Sequence, residues 1–264
     1  MEKKSSKNRK KILVMGLPGA GKTYLCKILC NKLNAKWINA DITRRKFNDW
    51  DFSKDGRRRQ SKRMRELAEN YNKQGFDVVA DFVCPTNETR KNFGANFIVY
   101  MNTIKKSRFS DTNLMFQKPK KFDFEVKEKK AELYALLIAD KIRKYKWNNK
   151  KPTAQMLGRW QPWHLGHQTL FEEIIQRTGQ VNIMVRDVKG VGDNPFSFNK
   201  VKKNILKNLT KYKERVKVSL VPNITNICYG RGVGYKLEKI NLNKKIQKIS
   251  ATKIRKKLRR KGKL

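Results

Sequence analysis

The sequence predicts two α/β domains in one chain, and three observations predict them. A length of 264 residues suits two domains better than one. Apolar strand-like runs alternate with helical ones throughout, as in parallel sheets with crossover helices. The polar stretch KWNNKKPT at 146–153 interrupts that alternation once, and domains of residues 1–148 and 153–264 follow.

The first domain offers strands at ILVMG (12–16), KWINA (36–40), DVVADFV (77–83) and NFIVYM (96–101), with helical patterns between them. It closes on EKKAELYALLIADKIRKY, where Leu133, Leu136, Leu137 and Ile142 recur at helical spacing. The second domain repeats the logic. AQMLG, QVNIMVRD and RVKVSLVPN read as strands, with helical runs near 166–178 and 198–213. A last helix in ATKIRKKLRRKGKL ends near Gly262.

Composition narrows the classes. The formal net charge is +42, with 37 Lys/Arg against 16 Asp/Glu in residues 1–150 and 27 against 6 in the remainder. Each part therefore carries about +21, an even excess rather than a basic tail. Anionic substrates are favoured, and nonspecific nucleic-acid contact is expected only at low salt. No run approaches the roughly 20 apolar residues of a membrane span. MEKKSSKNRKK passes into ILVMGL without a signal-peptide core, so a cytoplasmic protein is expected. Cys26, Cys30, Cys84 and Cys228 form no CxxC pair and lie in apolar surroundings, which predicts reduced core thiols and no zinc site. Nothing excludes a homo-oligomer.

Residues 16–23 read GLPGAGKT, a full match to GxxxxGK[ST] between an apolar strand and a helical run. Gly16, Gly19 and Gly21 let backbone amides surround phosphates, Lys22 reaches the β/γ-phosphates and Thr23 can hold Mg²⁺. ATP and Mg²⁺ are the implied cofactors. The first domain is thus expected to be of the P-loop NTPase type.

Beyond that loop, INADITRRKFNDWDFSKDGRRRQSKRM (38–64) and DVVADFVCP (77–85) resemble the adenylylsulfate kinase family. The family's DGDxxR stands here as Asn39-Ala40-Asp41-Ile42-Thr43-Arg44, its Asn-Asp and Phe-Ser pairs as Asn48-Asp49 and Phe52-Ser53, and its next arginines as Arg57 and Arg63. The resemblance implies that Asp41 accepts the proton of an attacking hydroxyl or orients Mg²⁺, with Asp81 a second candidate for metal or base. Arg44 and Arg57 would grip an anionic acceptor. Two departures weaken adenylylsulfate as that acceptor: the first acid of the motif is Asn39, and the lid is reduced to TIKKSRFSDTN (103–113).

In the second domain GRWQPWHLGH (158–167) contains both histidines of the chain. It resembles the HxGH nucleotidyltransferase superfamily, most of all its nicotinamide-mononucleotide adenylyltransferases, and ISATKIR (249–255) resembles the superfamily's second signature. A Rossmann-like domain is implied. His164 and His167 would stabilise charge on the phosphates during nucleotidyl transfer, Gly166 would permit close approach, and Ser250, Thr252 and Arg255 would bind the β/γ-phosphates. DNPFSF, VPNIT and YGRGVGY are rich in turn formers after strands and supply Arg186, Asn194 and Arg231 as acceptor-binding candidates. Trp160 and Trp163 either stack on a base or pack the first helix against the sheet.

The expected function is bifunctional: a kinase acting on a small nucleotide-like acceptor, adenylylsulfate favoured, joined to an adenylyl or other nucleotidyl transferase that releases pyrophosphate. Small anionic nucleotides or sugar phosphates are the expected partners. A cofactor-salvage kinase fused to a nicotinamide-mononucleotide-type transferase, and a polynucleotide-end kinase, remain alternatives. Two complete catalytic signatures disfavour a pure binding module.

Overall fold

The computed structural model describes residues 9–264 apart from Tyr229 and Val233, and the chain divides into two compact units between Lys144 and Tyr145. The first eight residues of the basic N-terminal stretch, and two positions of YGRGVGY, therefore lie outside the described residues. No helix among the described residues is long and apolar enough to cross a membrane.

The first unit is an α/β domain on a five-stranded parallel sheet. Its strands β1 (Lys11–Gly16), β2 (Lys36–Asn39), β3 (Val78–Asp81), β4 (Phe97–Met101) and β5 (Phe124–Val126) lie in the order β2-β3-β1-β4-β5. Helices α1 (Lys22–Leu33), α2 (Ala40–Lys46), α3 (Lys54–Lys73), α4 (Asn87–Phe93), α5 (Ser110–Met115) and α6 (Ala131–Arg143) connect and cover it. Alternation along β1 explains the two cores. Ile12 and Val14 pack with Leu25, Leu29 and Ile138, while Leu13 and Met15 pack with Met64, Ala68 and Phe93. A central parallel strand buried on both faces reads as a continuous apolar run, which is why ILVM was legible. β5 has three residues and no pattern of its own.

The second unit carries a three-stranded parallel sheet, β6 (Ala154–Gly158), β7 (Val181–Arg186) and β8 (Val216–Val221), in the order β6-β7-β8. α7 (Leu165–Thr178) joins the first two strands, and α8 (Phe198–Asn208) with a 3-10 helix (Thr210–Arg215) joins the next two. The single helical run expected over 198–213 thus breaks at Leu209, whose N–H still bonds Ile205 O. The short α9 (Lys244–Gln247) and α10 (Ala251–Arg260) follow. β7 buries Val181, Ile183 and Val185 and leaves Asn182, Met184 and Arg186 half-buried, so its core is one-sided. Cys26, Cys30 and Cys84 are buried as expected, but Cys228 is exposed because its segment forms no strand.

Candidate functional sites

β1 ends at Gly16, whose φ of 145° suits glycine alone. A Cβ there would come within 2.6 Å of Met101 O, so the absence of a side chain lets the loop turn against β4. Gly19 and Gly21 also take positive φ, and Gly21 is the N-cap of α1. Thr103 Oγ1 holds the loop from the end of β4, donating to Ala20 O at 2.8 Å. Backbone amides at a helix start, curled by glycines, form a cradle for phosphate.

Four side chains converge beneath that cradle. Lys22 is buried and donates to Leu17 O at 3.0 Å. Burial pushes its ammonium below the usual value, opposed by the Asp81 carboxylate. Thr23 Oγ1 donates to Asp81 Oδ2 at 2.7 Å, and Asn39 Nδ2 donates to the same oxygen at 2.9 Å. Burial lifts the Asp81 carboxyl above its ordinary range, while the Thr23 bond, Lys22 and Asn39 pull it back.

Asn39 was seen in the sequence only as a departure from an acid. Its side-chain oxygen also accepts from Asp41 N and Ile42 N, capping α2. An amide can accept for the cap and donate to Asp81 together; a carboxylate in its place would face Asp81 with like charge.

Among the described residues no group of three or more His, Cys, Asp or Glu could hold a metal. Thr23 and Asp81 nevertheless present hard oxygen donors beside the phosphate cradle, a set that fits Mg²⁺, which keeps waters and phosphate oxygens as its remaining ligands. Asp41 is exposed and lines the neighbouring cavity.

That cavity encloses about 780 Å³ and extends from Lys22 and Thr23 past Asp41 to the rings of Phe52 and Phe109. Arg44 and Arg57 line it, and both are largely committed to the protein. Arg44 Nη1 donates to Asp49 O and Asp51 O, each at 2.9 Å. Arg57 donates to Phe52 O, to Asp111 Oδ2 at 2.9 Å and to Thr112 Oγ1 at 3.1 Å. Both guanidiniums pack on the Phe52 ring, at 4.6 and 5.6 Å. They therefore shape the wall and leave only their remaining N–H groups to meet an anion. Gln60 was missed by sequence reasoning: it lines the same cavity with its Oε1 buried and without a partner, while its Nε2 donates to Ala40 O. A glutamine inside a basic helix gave no signal.

In the second unit, the turn after β6 brings four rings together at the start of α7. Trp160 takes a φ of 54° and lies over Gly158, where a Cβ would meet its indole at 2.7 Å. Its Nε1 donates to Met184 O at 3.0 Å. Both tryptophans are buried and pack with His167, at 4.8 Å for Trp160 and 5.5 Å for Trp163 between ring centroids. The two imidazoles stack at 3.7 Å and 20°.

His164 is the N-cap of α7, and its Nδ1 accepts from Gly166 N at 3.1 Å. The neutral ring's proton is thereby assigned to Nε2. Gly166 is needed here, since a Cβ would stand 3.0 Å from the His164 ring. Burial lowers the His164 imidazole below its usual value and takes His167 down to about 3, with the His164 charge adding to the effect. Each neutral imidazole keeps one N–H that can donate a hydrogen bond.

The second signature meets the first. Arg255 is buried on α10 and donates to Gln161 O, to Asp193 Oδ2 at 2.8 Å and to Thr252 Oγ1 at 3.2 Å. Ser250 is the N-cap of α10, with no side-chain cap bond. Gln161, unremarked in the sequence, ties in the DNPFSF loop through reciprocal 2.9 Å bonds with the Phe196 backbone. Bonds from Arg259 and Arg255 hold the Asp193 carboxyl below its usual range.

The acceptor candidates are scattered by comparison. Asn194 is buried and donates to Val191 O. Arg186 bonds Asn223, and Arg231 is exposed.

Residues 12–97 match a family model described as an AAA domain. No curated protein matches the chain. Among solved structures, the chain is similar to the APS kinase of Mycobacterium tuberculosis in complex with AMPPNP and APS, at 20% identity over 51% of this chain and 98% of that one, with a TM-score of 0.46. It is also similar to the shikimate kinase of Acinetobacter baumannii in complex with shikimate, at 17% identity, 52% and 94% coverage and a TM-score of 0.39. A gluconokinase of Sinorhizobium meliloti 1021 matches at 14% identity, 51% and 92% coverage and a TM-score of 0.38.

Proposed function

We propose that the first unit transfers the γ-phosphoryl group of ATP to a small anionic acceptor, and that the second transfers a nucleotidyl group with release of pyrophosphate. The observation that carries the first activity is the continuity between phosphate cradle and cavity: Lys22, Thr23, Asp81, Asp41, Arg44 and Phe52 all line one space. Lys22 leaves Leu17 O to meet the β/γ-phosphates. Asp41, exposed to the cavity, takes the proton of the attacking hydroxyl. Mg²⁺, when bound, neutralises charge on the phosphates, with Thr23 and Asp81, or Thr23 and Asp41, as the residues that would hold it.

A cavity lined by Phe52, Phe82 and Phe109 beside Arg44, Arg57 and Arg108 fits an acceptor that carries both a flat ring and an anion. Adenylylsulfate has that chemistry, and so do other nucleotides. The specific support for the second activity is the placement of both histidines of the chain in one stacked pair at a helix start, with Arg255 bonded to the same turn through Gln161 O. His164 and His167 then donate to phosphate oxygens whose charge grows as pyrophosphate leaves.

The test is a turnover screen with ATP and Mg²⁺ against adenylylsulfate, sulfate, nicotinamide mononucleotide and 5′-hydroxyl oligonucleotides, reading ADP and pyrophosphate separately. The proposal expects ADP with a small nucleotide acceptor and pyrophosphate with a second, distinct acceptor. ADP formation with oligonucleotides alone would replace the small-acceptor reading with a polynucleotide-end kinase. Pyrophosphate with nicotinamide mononucleotide would assign the second unit to cofactor salvage.

A further inference from the structure

We propose that the indole N–H of Trp163 is a ligand-binding donor of the second unit, giving a hydrogen bond to a phosphate oxygen of the nucleotide taken there. The inference rests on reading that unit as a phosphate-binding transferase site and adds a donor beyond the two imidazoles.

Trp163 is only 5% exposed, yet its Nε1 is buried without a hydrogen-bond partner. Its neighbour Trp160, under the same burial, meets the same need with Met184 O. An indole N–H can only donate. Left unpaired in the interior it destabilises the fold, and native structures pair such atoms with protein, water or ligand.

Two further atoms share its condition close by. His167 Nδ1, on a ring whose centroid is 5.5 Å from that of Trp163, is buried and unpartnered, as is Oε1 of Gln168, the next residue. Within the described residues, three of the five such side-chain atoms therefore fall in residues 163–168.

The surroundings select the partner. The first turn of α7 holds no acidic residue, and its start carries the partial positive charge of a helix N-terminus. The two imidazoles are neutral and offer N–H groups rather than charge. Indole, imidazole and helix amides present N–H donors and no anion, the complement of a phosphate oxygen, while Gln168 Oε1 is an acceptor and stands outside that set.

The test uses the full chain carrying Lys22→Ala, which removes the phosphate-loop lysine, with α,β-methylene-ATP as probe. Trp163→Phe keeps a ring and removes the N–H. In ¹⁵N-indole spectra the Trp163 resonance is the one missing from Trp163→Phe; should that variant not fold, Trp→Phe changes at the other four tryptophans assign it by elimination. The resonance should move downfield on saturation with the analogue. Trp163→Phe should weaken binding at the His167-dependent site roughly 10–100-fold, with the ligand-free melting temperature unchanged or raised.

An unmoved resonance, or unchanged affinity, overturns the proposal. A lowered ligand-free melting temperature with unchanged affinity does so too, by assigning the N–H to a buried water. If no analogue binding responds to His167→Ala, the transferase reading itself fails, and the donor with it.

Discussion

The candidate sites of the two units are built in opposite ways. In the first, charged and polar groups are already engaged with one another: Lys22 with a loop carbonyl, Thr23 and Asn39 with Asp81, Arg44 and Arg57 with carbonyls of the wall. Among the buried polar atoms that line this cavity in the described residues, Gln60 Oε1 is the one without a partner. In the second, neutral rings are packed together and two of their buried polar atoms, Trp163 Nε1 and His167 Nδ1, have no partner. A site built on charge must satisfy that charge before the ligand arrives, because an uncompensated buried ion is too unfavourable. A site built on neutral donors can leave them open, since the penalty is smaller.

The largest effect expected from this contrast is the separation of activities by Lys22→Ala. Phosphoryl transfer should be abolished, while pyrophosphate release continues at close to its original rate. Loss of both reactions in a folded protein would erase the two-site picture.

The mirror-image change, His164→Ala or His167→Ala, should lower nucleotidyl transfer about 10²–10³-fold with phosphoryl transfer unaffected. Removing a neutral donor should leave the protein folded, so parallel thermal unfolding distinguishes this from a purely structural histidine. A lowered melting temperature with near-normal turnover would contradict the assignment.

Smaller in rate terms but informative about construction is Gly16→Ala. Its Cβ would meet Met101 O at 2.6 Å in a backbone conformation that suits glycine. A loss of about 1–3 kcal/mol, confined to unfolding of the first unit, is expected in denaturant titrations. A change of equal size in the second unit would mean that the units do not unfold separately.

The remaining effect is on pH dependence. The unfolded chain protonates His167 near its ordinary 6.5, but the folded chain resists until about 3. As pH falls between those values the unfolded state takes up the proton first, so this histidine removes stability from the second unit over that window. His167→Gln should flatten the melting temperature against pH there. An unaltered slope would show that the ring is not held neutral.

Much of this was legible in the sequence where the chain obeys a local rule. GLPGAGKT needs glycines at positions fixed by the turn, and the β1 run is continuous because both of its faces are buried. HLGH places its caps and rings within one helical turn. Partnership across the sequence was not legible. Asn39 read as a lost acid until Asp81, 42 residues away, was seen to require a donor. Gln161 looked like filler in its motif until Phe196 was found bonded to both ends of its amide. Asp193 similarly carried no pattern that linked it to Arg255 and Arg259. Long-range pairs of polar atoms leave no periodicity to read.

The Arg57 guanidinium reaches in one gesture from the wall of the cavity to Asp111 and Thr112 on α5. Under the proposed acceptor role of Arg57, recognition of the acceptor and placement of α5 would share a single side chain. A lineage that changed acceptors on this scaffold by replacing Arg57 would at the same stroke redraw how the reaction is shielded from water. Diversification would be easier at Phe109 than at Phe52, whose ring packs against the Arg57 guanidinium.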